Sequence, residues 1–262
     1  MLAWFHTLSN TLTGIIILTV GLLLTTLTPF LIRQRFKLDL SEPVAKGAEE
    51  SFKLFTSLTL LLLAFCLVRM QGDHRGTEDI VSREGTVIIK LDRAYGSFGG
   101  EGGDQLRAGL ARYTLLVIKE EWPLLSKGER GVKTGAAMVA LSQESRQLEP
   151  KTPSQQVARS EILATFTQLS DLREARLSAS RLALPDYYWY AITCSMALFT
   201  IFAWFQSPLP KLLTYVGGVT SGIALLLTLL ISTAGIFVGD SAVTPQPLER
   251  ALTEITKLSL LH

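Results

Sequence analysis

The chain has 262 residues, 48% of them hydrophobic, and a formal net charge of only +2. So small a charge argues against a nucleic-acid partner. The two cysteines, Cys66 and Cys194, both lie inside apolar runs as small buried hydrophobes, with no zinc or redox spacing. The apolar residues are gathered into long blocks, which excludes an ordinary soluble domain and points to an integral membrane protein in a lipid bilayer.

The first block, residues 11–32, holds no charge. It exceeds the roughly 18–20 apolar residues a bilayer needs at about 1.5 Å of helical rise each. No lysine or arginine precedes it and no small-residue cleavage site follows, so it reads as a signal anchor. A loop from Arg33 to Phe52 comes next. The second block is short: fifteen uncharged residues, Leu54 to Val68, between Lys53 and Arg69. At helical rise they cover about 22 Å of a hydrocarbon core about 30 Å thick. The helix is therefore expected to start earlier, near Val44 or Gly47. Glu49, Glu50 and Lys53 then sit at one interface, with Glu49 and Lys53 four apart and able to pair. Arg69 can snorkel at the other end. Ionisable groups at this depth face either an interface or an aqueous vestibule.

Residues 70–185 form a long polar insertion that reads as helical. A helix is predicted over 77–95, as a continuation of the second span. "GSFGGEGG" (96–103) has the glycine density of a phosphate loop but no Gly-Lys-Ser/Thr ending, and reads as a flexible linker. Asp104 is the expected N-cap of the next helix. Leu106, Leu110, Tyr113 and Val117, spaced 4, 3 and 4, form one face of it. Pro123 should kink or end it. Glu120 and Glu121 beside Trp122 read as a solvated face next to one buried aromatic, because neighbouring helix positions point about 100° apart. Thr152 caps a further helix with Pro153 at its first position, and Val157, Ile162, Phe166 and Leu169 supply its apolar stripe. Arg173, Arg176 and Arg181 read as members of a structural ion-pair network, with lipid headgroups as the other possible partner.

Pro185 marks the junction to a third uncharged block, 187–205, and "QSPLPK" (206–211) is a hairpin into a fourth, 212–238. Gly218 and Gly222 form a GxxxG, with Gly217 and Ser221 offset by one. Small residues at this spacing let helices approach closely, within or between subunits. The tail, 239–262, carries Leu248, Leu252, Ile255 and Ser259, an amphipathic helix for the membrane surface or the insertion. The organisation is thus 1–69 (two spans and their loop), 70–185 (insertion), 186–238 (hairpin of spans) and 239–262 (tail). The fold class is all-α: an integral membrane protein with four transmembrane helices and a helical soluble insertion between the second and third.

Positive charge gives opposing signals on sidedness. Arg33, Arg35, Lys37, Lys46, Lys53 and Lys211 nearly balance Arg69, Arg75, Arg83, Arg173, Arg176, Arg181 and Arg250 across the membrane, while "RQRFK" after the first span favours the loop side as cytoplasmic. His6, His74 and His262 have no ligand-spaced neighbours, so no metal site, cofactor or catalytic group is expected.

"RYTLLVIKEEWPLL", "LREARLSASRLALPDYYW" and "GDSAVTPQPLERAL" occur in this order. They resemble the bacterial bestrophin-like domain family over roughly residues 11–255, through Tyr113, Glu121, Trp122, Pro123, Arg173, Arg176, Arg181, Pro185, Trp189 and Gly239. "REG" at Arg83–Gly85 resembles the family's acidic position after the second span. Two features depart from that pattern: Glu49, Glu50 and Lys53 intrude on the second span, and "IFVGD" stands where the family has Pro-Phe before the glycine.

The resemblance implies kinship with bestrophins, four-span oligomeric ion channels whose second span lines the pore. It implies a homo-oligomer, with a pentamer as first expectation, a permeant inorganic ion, a bacterial inner membrane and an insertion in the cytosol. The pore face at helical spacing would read Glu49, Lys53, Thr56, Leu60, Leu63 and Leu67, a charged mouth above a leucine constriction, with the acids favouring cations. The competing reading is a non-conducting scaffold or sensor whose insertion docks a partner. An intramembrane enzyme has the least support, since no acid–base or metal constellation is present.

Overall fold

The computed structural model describes residues 10–29, 31, 35, 42–182, 184–205, 212–239 and 241–259. His6, His262, Arg33, Lys37, Lys211, the 206–211 hairpin and the Ser259 side chain lie outside the described residues. All regular structure among the described residues is helical. The chain divides into two compact units, Met1–Gly72 with Ala183–Ser241, and Asp73–Leu182 with Ala242–His262. The tail therefore belongs with the insertion.

The first unit contains α1 (Asn10–Leu22), which continues as a π-helical turn (Leu23–Leu27). It also contains the first part of α2 (Glu42–Phe98), which starts slightly earlier than the short charge-free run required. The helices between Gly100 and Ala179, α3 to α6, belong to the second unit. The first unit is completed by α7 (Asp186–Trp204) and α8 (Gly217–Thr233), the latter entered through a π-helical turn, Leu212–Val216. α2 and the stretch Thr214–Thr233 are long and apolar enough to cross a membrane, and the apolar helix Thr11–Leu27 is shorter.

The core of this unit joins Phe52, Leu63, Cys66 and Met70 of α2 to Ile192, Phe199 and Ala203 of α7, Val216 of the π-helical turn, and Ile223 and Leu230 of α8. Phe52 and Phe199 lie 5.1 Å apart, and Phe55 stacks on Phe202 at the same separation. The outer surface is also apolar: Leu54, Leu58, Leu61, Phe65 and Val68 of α2 are all more than half exposed. A surface of this kind suits hydrocarbon or another subunit rather than water. Hydroxyls bond back to carbonyls one turn earlier, as Thr59 does to Phe55 and Thr200 to Met196, so they need no water. Arg69 sits 5.4 Å over the Tyr188 ring, an amphipathic pair suited to an interface. Cys66 is buried, but Cys194 is exposed, because it falls on the outward side of α7.

The second unit begins with the rest of α2, whose Val81, Ile88, Leu91 and Tyr95 are fully buried. α2 does not end in a flexible linker. Gly99 and Gly100 both adopt φ 68°, and α3 (Gly100–Leu116) starts at once, with Gly99 rather than Asp104 at its N-cap. A Cβ on Gly103 would lie 2.6 Å from the Tyr95 carbonyl oxygen, so glycine is required where the two helices close on each other. Leu106, Leu110, Tyr113 and Val117 are buried as their spacing requires.

A π-helical turn (Val117–Glu121) follows, then the short α4 (Trp122–Leu125) with Pro123 in its first turn. α5 (Val132–Gln147) packs on α3. α6 (Pro153–Ala179) opens with the Thr152 hydroxyl accepting from the Gln155 amide, the expected cap. Ile162, Phe166 and Leu169 are buried, but Val157 is 70% exposed and Ala158 takes its place inward. α9 (Gln246–Ser259) buries Leu248, Ala251 and Ile255 against the insertion, with Arg93 bonded to Glu254 at 2.9 Å.

Candidate functional site

Two features gather the residues singled out above. The first is a buried ionic cluster in the second unit. Arg176, with no exposed surface, donates from Nε to Glu84 Oε2 at 2.7 Å and from Nη2 to Glu84 Oε1 at 3.2 Å. The same Nη2 reaches Glu121 Oε1 at 2.9 Å. Arg173 grips Glu121 from the other side, Nη2 to Oε2 at 2.6 Å and Nε to Oε1 at 3.2 Å, and the Gly131 amide adds a fourth donor at 3.2 Å. Two carboxylates thus balance two guanidinium groups, which is what makes ionised groups tolerable at this depth.

Local sequence places each member. Glu84 falls within the inward stripe of α2, between Val81 and Ile88. Arg173 and Arg176 are three apart and share a face of α6. Pro123 lacks an amide proton, and just before it the helix widens, with the Trp122 amide bonding the Val117 carbonyl. The wider turn keeps Tyr113, Val117 and Glu121, each four apart, on one side. Glu121 is accordingly fully buried rather than part of a solvated face. Glu120 is the acid that reaches outward, to Lys133 at 3.1 Å. The four-residue spacing from Tyr113 through Val117 to Glu121 was the available signal for this.

Electrostatics fit the geometry. Burial pushes the Glu121 carboxyl up, but the Arg173 hydrogen bond and the Arg176 charge overcome it and hold it below the usual carboxylate range. Burial pushes Arg176 down, and the Glu84 charge and hydrogen bond more than reverse it. Burial pushes the Tyr113 phenol up, and the Glu84 charge adds to that shift. The Trp122 ring lies 5.7 Å from the Arg176 guanidinium carbon.

Tyr113, Glu121, Trp122, Arg173 and Arg176 thus meet. Arg181 does not: it is exposed, and its Nε donates to the Gly128 carbonyl at 3.4 Å. Pro123 shapes the turn from outside. All four charges are spent on one another, so the cluster is a clamp joining α2, the end of α3 and α6. Among the described residues no group of three or more His, Cys, Asp or Glu is placed to hold a metal ion.

The second feature is the apolar part of α2, which is long enough to cross a membrane. Glu49 and Lys53 pair at 2.9 Å, both side chains 55% exposed, and Glu50 is exposed beside them. Thr56 and Leu63 are buried in their own unit, Leu63 completely, while Leu60 and Leu67 are only partly covered. The residues chosen from spacing therefore share one flank of the helix without all being free to face an axis. The outward line is Glu50, Leu54, Ser57, Leu61 and Val68.

The GxxxG is also placed differently from a subunit-internal contact. A Cβ on Gly218 or Gly222 would meet nothing within 4 Å. Close approach to α8 is made instead by Gly14 and Gly21 of α1, whose added Cβ atoms would lie 3.2 Å and 3.1 Å from Thr228 and Thr220.

The chain is similar to a bacterial bestrophin homologue from Klebsiella pneumoniae, solved by crystallography with a point mutation. The TM-score is 0.58 at 14% identity, with 94% of this chain and 99% of the other covered. At that identity the likeness establishes the fold. No curated protein matches the chain. The family model described as the bestrophin-like domain matches residues 48–248, which include the clamp and the apolar part of α2 from Ala48 onward, and the chain therefore belongs to the bestrophin-like domain family.

Proposed function

We propose that this protein is an oligomeric ion channel, or channel-like pore, of the inner membrane, crossed four times by each subunit and lined by α2. The observation that carries this reading is the outward line of α2. It runs from an acid, Glu50, through Leu54, Ser57, Leu61 and Val68, all of them exposed. An acidic mouth leading to an apolar ring is the arrangement of a cation-preferring pore gated by dewetting. The subunits form a closed ring, with a pentamer the first expectation by kinship with bestrophins. Gly218 and Gly222, which face open space in the subunit, suit contacts between subunits.

Bilayer recording tests the reading. The pore-lining reading centres on Leu61 rather than Leu63. Leu61→Ser should wet the ring and raise basal conductance, and Glu50→Gln should shift ion preference under a salt gradient. Leu63→Ser should chiefly destabilise the subunit, since Leu63 packs in its core. Silent records from wild type and Leu61→Ser, in folded and inserted protein, would sink the pore and favour a scaffold.

A further inference from the structure

We propose that α1, α7 and α8 enclose an intramembrane site for one acyl chain of a phospholipid. A cavity of about 250 Å³ lies among them, with Phe199 and Ile223 at its floor and Ile16, Val20 and Leu24 along its edge. An apolar cavity of about 150 Å³ already accommodates benzene, so this one holds a longer stretch of hydrocarbon. The inference rests on the membrane placement of this unit and not on conduction.

The walls determine the chemistry of the occupant. The lining hydroxyls are satisfied by the protein: Thr25 bonds the Gly21 carbonyl at 2.8 Å and meets Thr220 at 3.0 Å, and Thr200 bonds the Met196 carbonyl at 2.8 Å. Among the described residues no charged side chain lines the cavity. A polar ligand would be desolvated there without new partners, whereas a methylene chain loses nothing. The edge determines the source. Ile16, Val20 and Leu24 are 41%, 48% and 46% exposed, so the opening is continuous with the bilayer-facing surface of α1. Hydrocarbon outside that surface belongs to lipid tails, tethered to headgroups at the interface. The π-helical turn at Leu23–Leu27 forms one end of the site, and the Trp204 indole caps the Leu24 carbonyl there at 2.8 Å.

Photo-labelling of the full chain in phosphatidylethanolamine–phosphatidylglycerol vesicles tests this. The probe is a phosphatidylethanolamine with a diazirine midway along one acyl chain, and peptide mass spectrometry locates the adducts. Label is expected on α1 near Val20, on α7 near Thr200 and on α8 near Ile223. Thr200→Phe, which fills the cavity, and Leu24→Trp, which narrows its mouth, should each cut that labelling roughly tenfold while total incorporation into the remaining peptides is unchanged. Leu24 is an exposed edge position, so one variant keeps its fold even if the other does not. Unchanged labelling of the cavity peptides in a folded variant would overturn the site. Labelling by a free diazirine fatty acid but not by the phospholipid would overturn the assigned source. Silence in bilayer recordings alongside normal labelling would reject only the channel.

Discussion

Replacing Arg176 with Met should destabilise this protein more than almost any other single change to the insertion. The side chain is fully buried and makes both hydrogen bonds by which Glu84, itself fully buried, is held by an arginine. Glu121 keeps Arg173, but Glu84 is left as a buried carboxylate without its counter-ion. Removing one partner of a buried ion pair costs about 3–5 kcal/mol. At roughly 2–4 °C per kcal/mol for a chain of this size, the unfolding midpoint should fall by about 6–20 °C. The assay is intrinsic-fluorescence melting of the full chain in detergent at one fixed scan rate, because unfolding of such proteins is commonly irreversible. The double variant Glu84→Leu with Arg176→Met removes both charges and should recover most of the loss, since a buried pair and an apolar pair of similar size are nearly equivalent. Arg176→Lys should recover little, because a lysine cannot reproduce the forked contact to two carboxylates. If Arg176→Met melts within about 2 °C of wild type, or the double variant melts below it, the uncompensated-charge argument is wrong.

Acid should act on the same clamp with a definite sign. Because Glu121 is held below the usual carboxylate range, its contribution is fully present above the ordinary glutamate value of about 4.3 and is lost as pH falls through the depressed folded value. Melting temperature should therefore not fall on Glu121's account between pH 7 and about 5 and should drop at lower pH, and Glu121→Gln should blunt that drop. At the tail, a Cβ on Gly85 would lie 2.8 Å from the Pro247 carbonyl oxygen, a backbone atom that cannot yield alone. Gly85→Ala should cost about 1–3 kcal/mol and speed tryptic cleavage at Arg250 and Lys257 in α9. Gly96→Ala, where a Cβ meets nothing within 4 Å, should instead be neutral or stabilising.

What the sequence by itself determined about this protein was local or periodic. The charge-free blocks mark apolar helices because helical rise fixes how many residues a bilayer consumes. The 4-3-4 stripe from Leu106 to Val117 marks one face because helical pitch fixes it. Thr152 and Pro153 mark a helix start because a cap involves only four consecutive residues. What only the tertiary structure decided needed partners distant in the chain. Leu54 to Val68 is uncharged on every side and leucine-rich around Leu60–Leu63, so periodicity could not tell the inward Leu63 from the outward Leu61. Packing against Phe199 and Ile223 settled it. Glu121 looked solvated beside Glu120 because its counter-ions lie on α6, 52 and 55 residues further along. The glycine-rich stretch read as a flexible linker until Gly103 came against the Tyr95 carbonyl. In each case composition was compatible with two environments, and the side chain's environment was fixed by a neighbour that folding alone brings near.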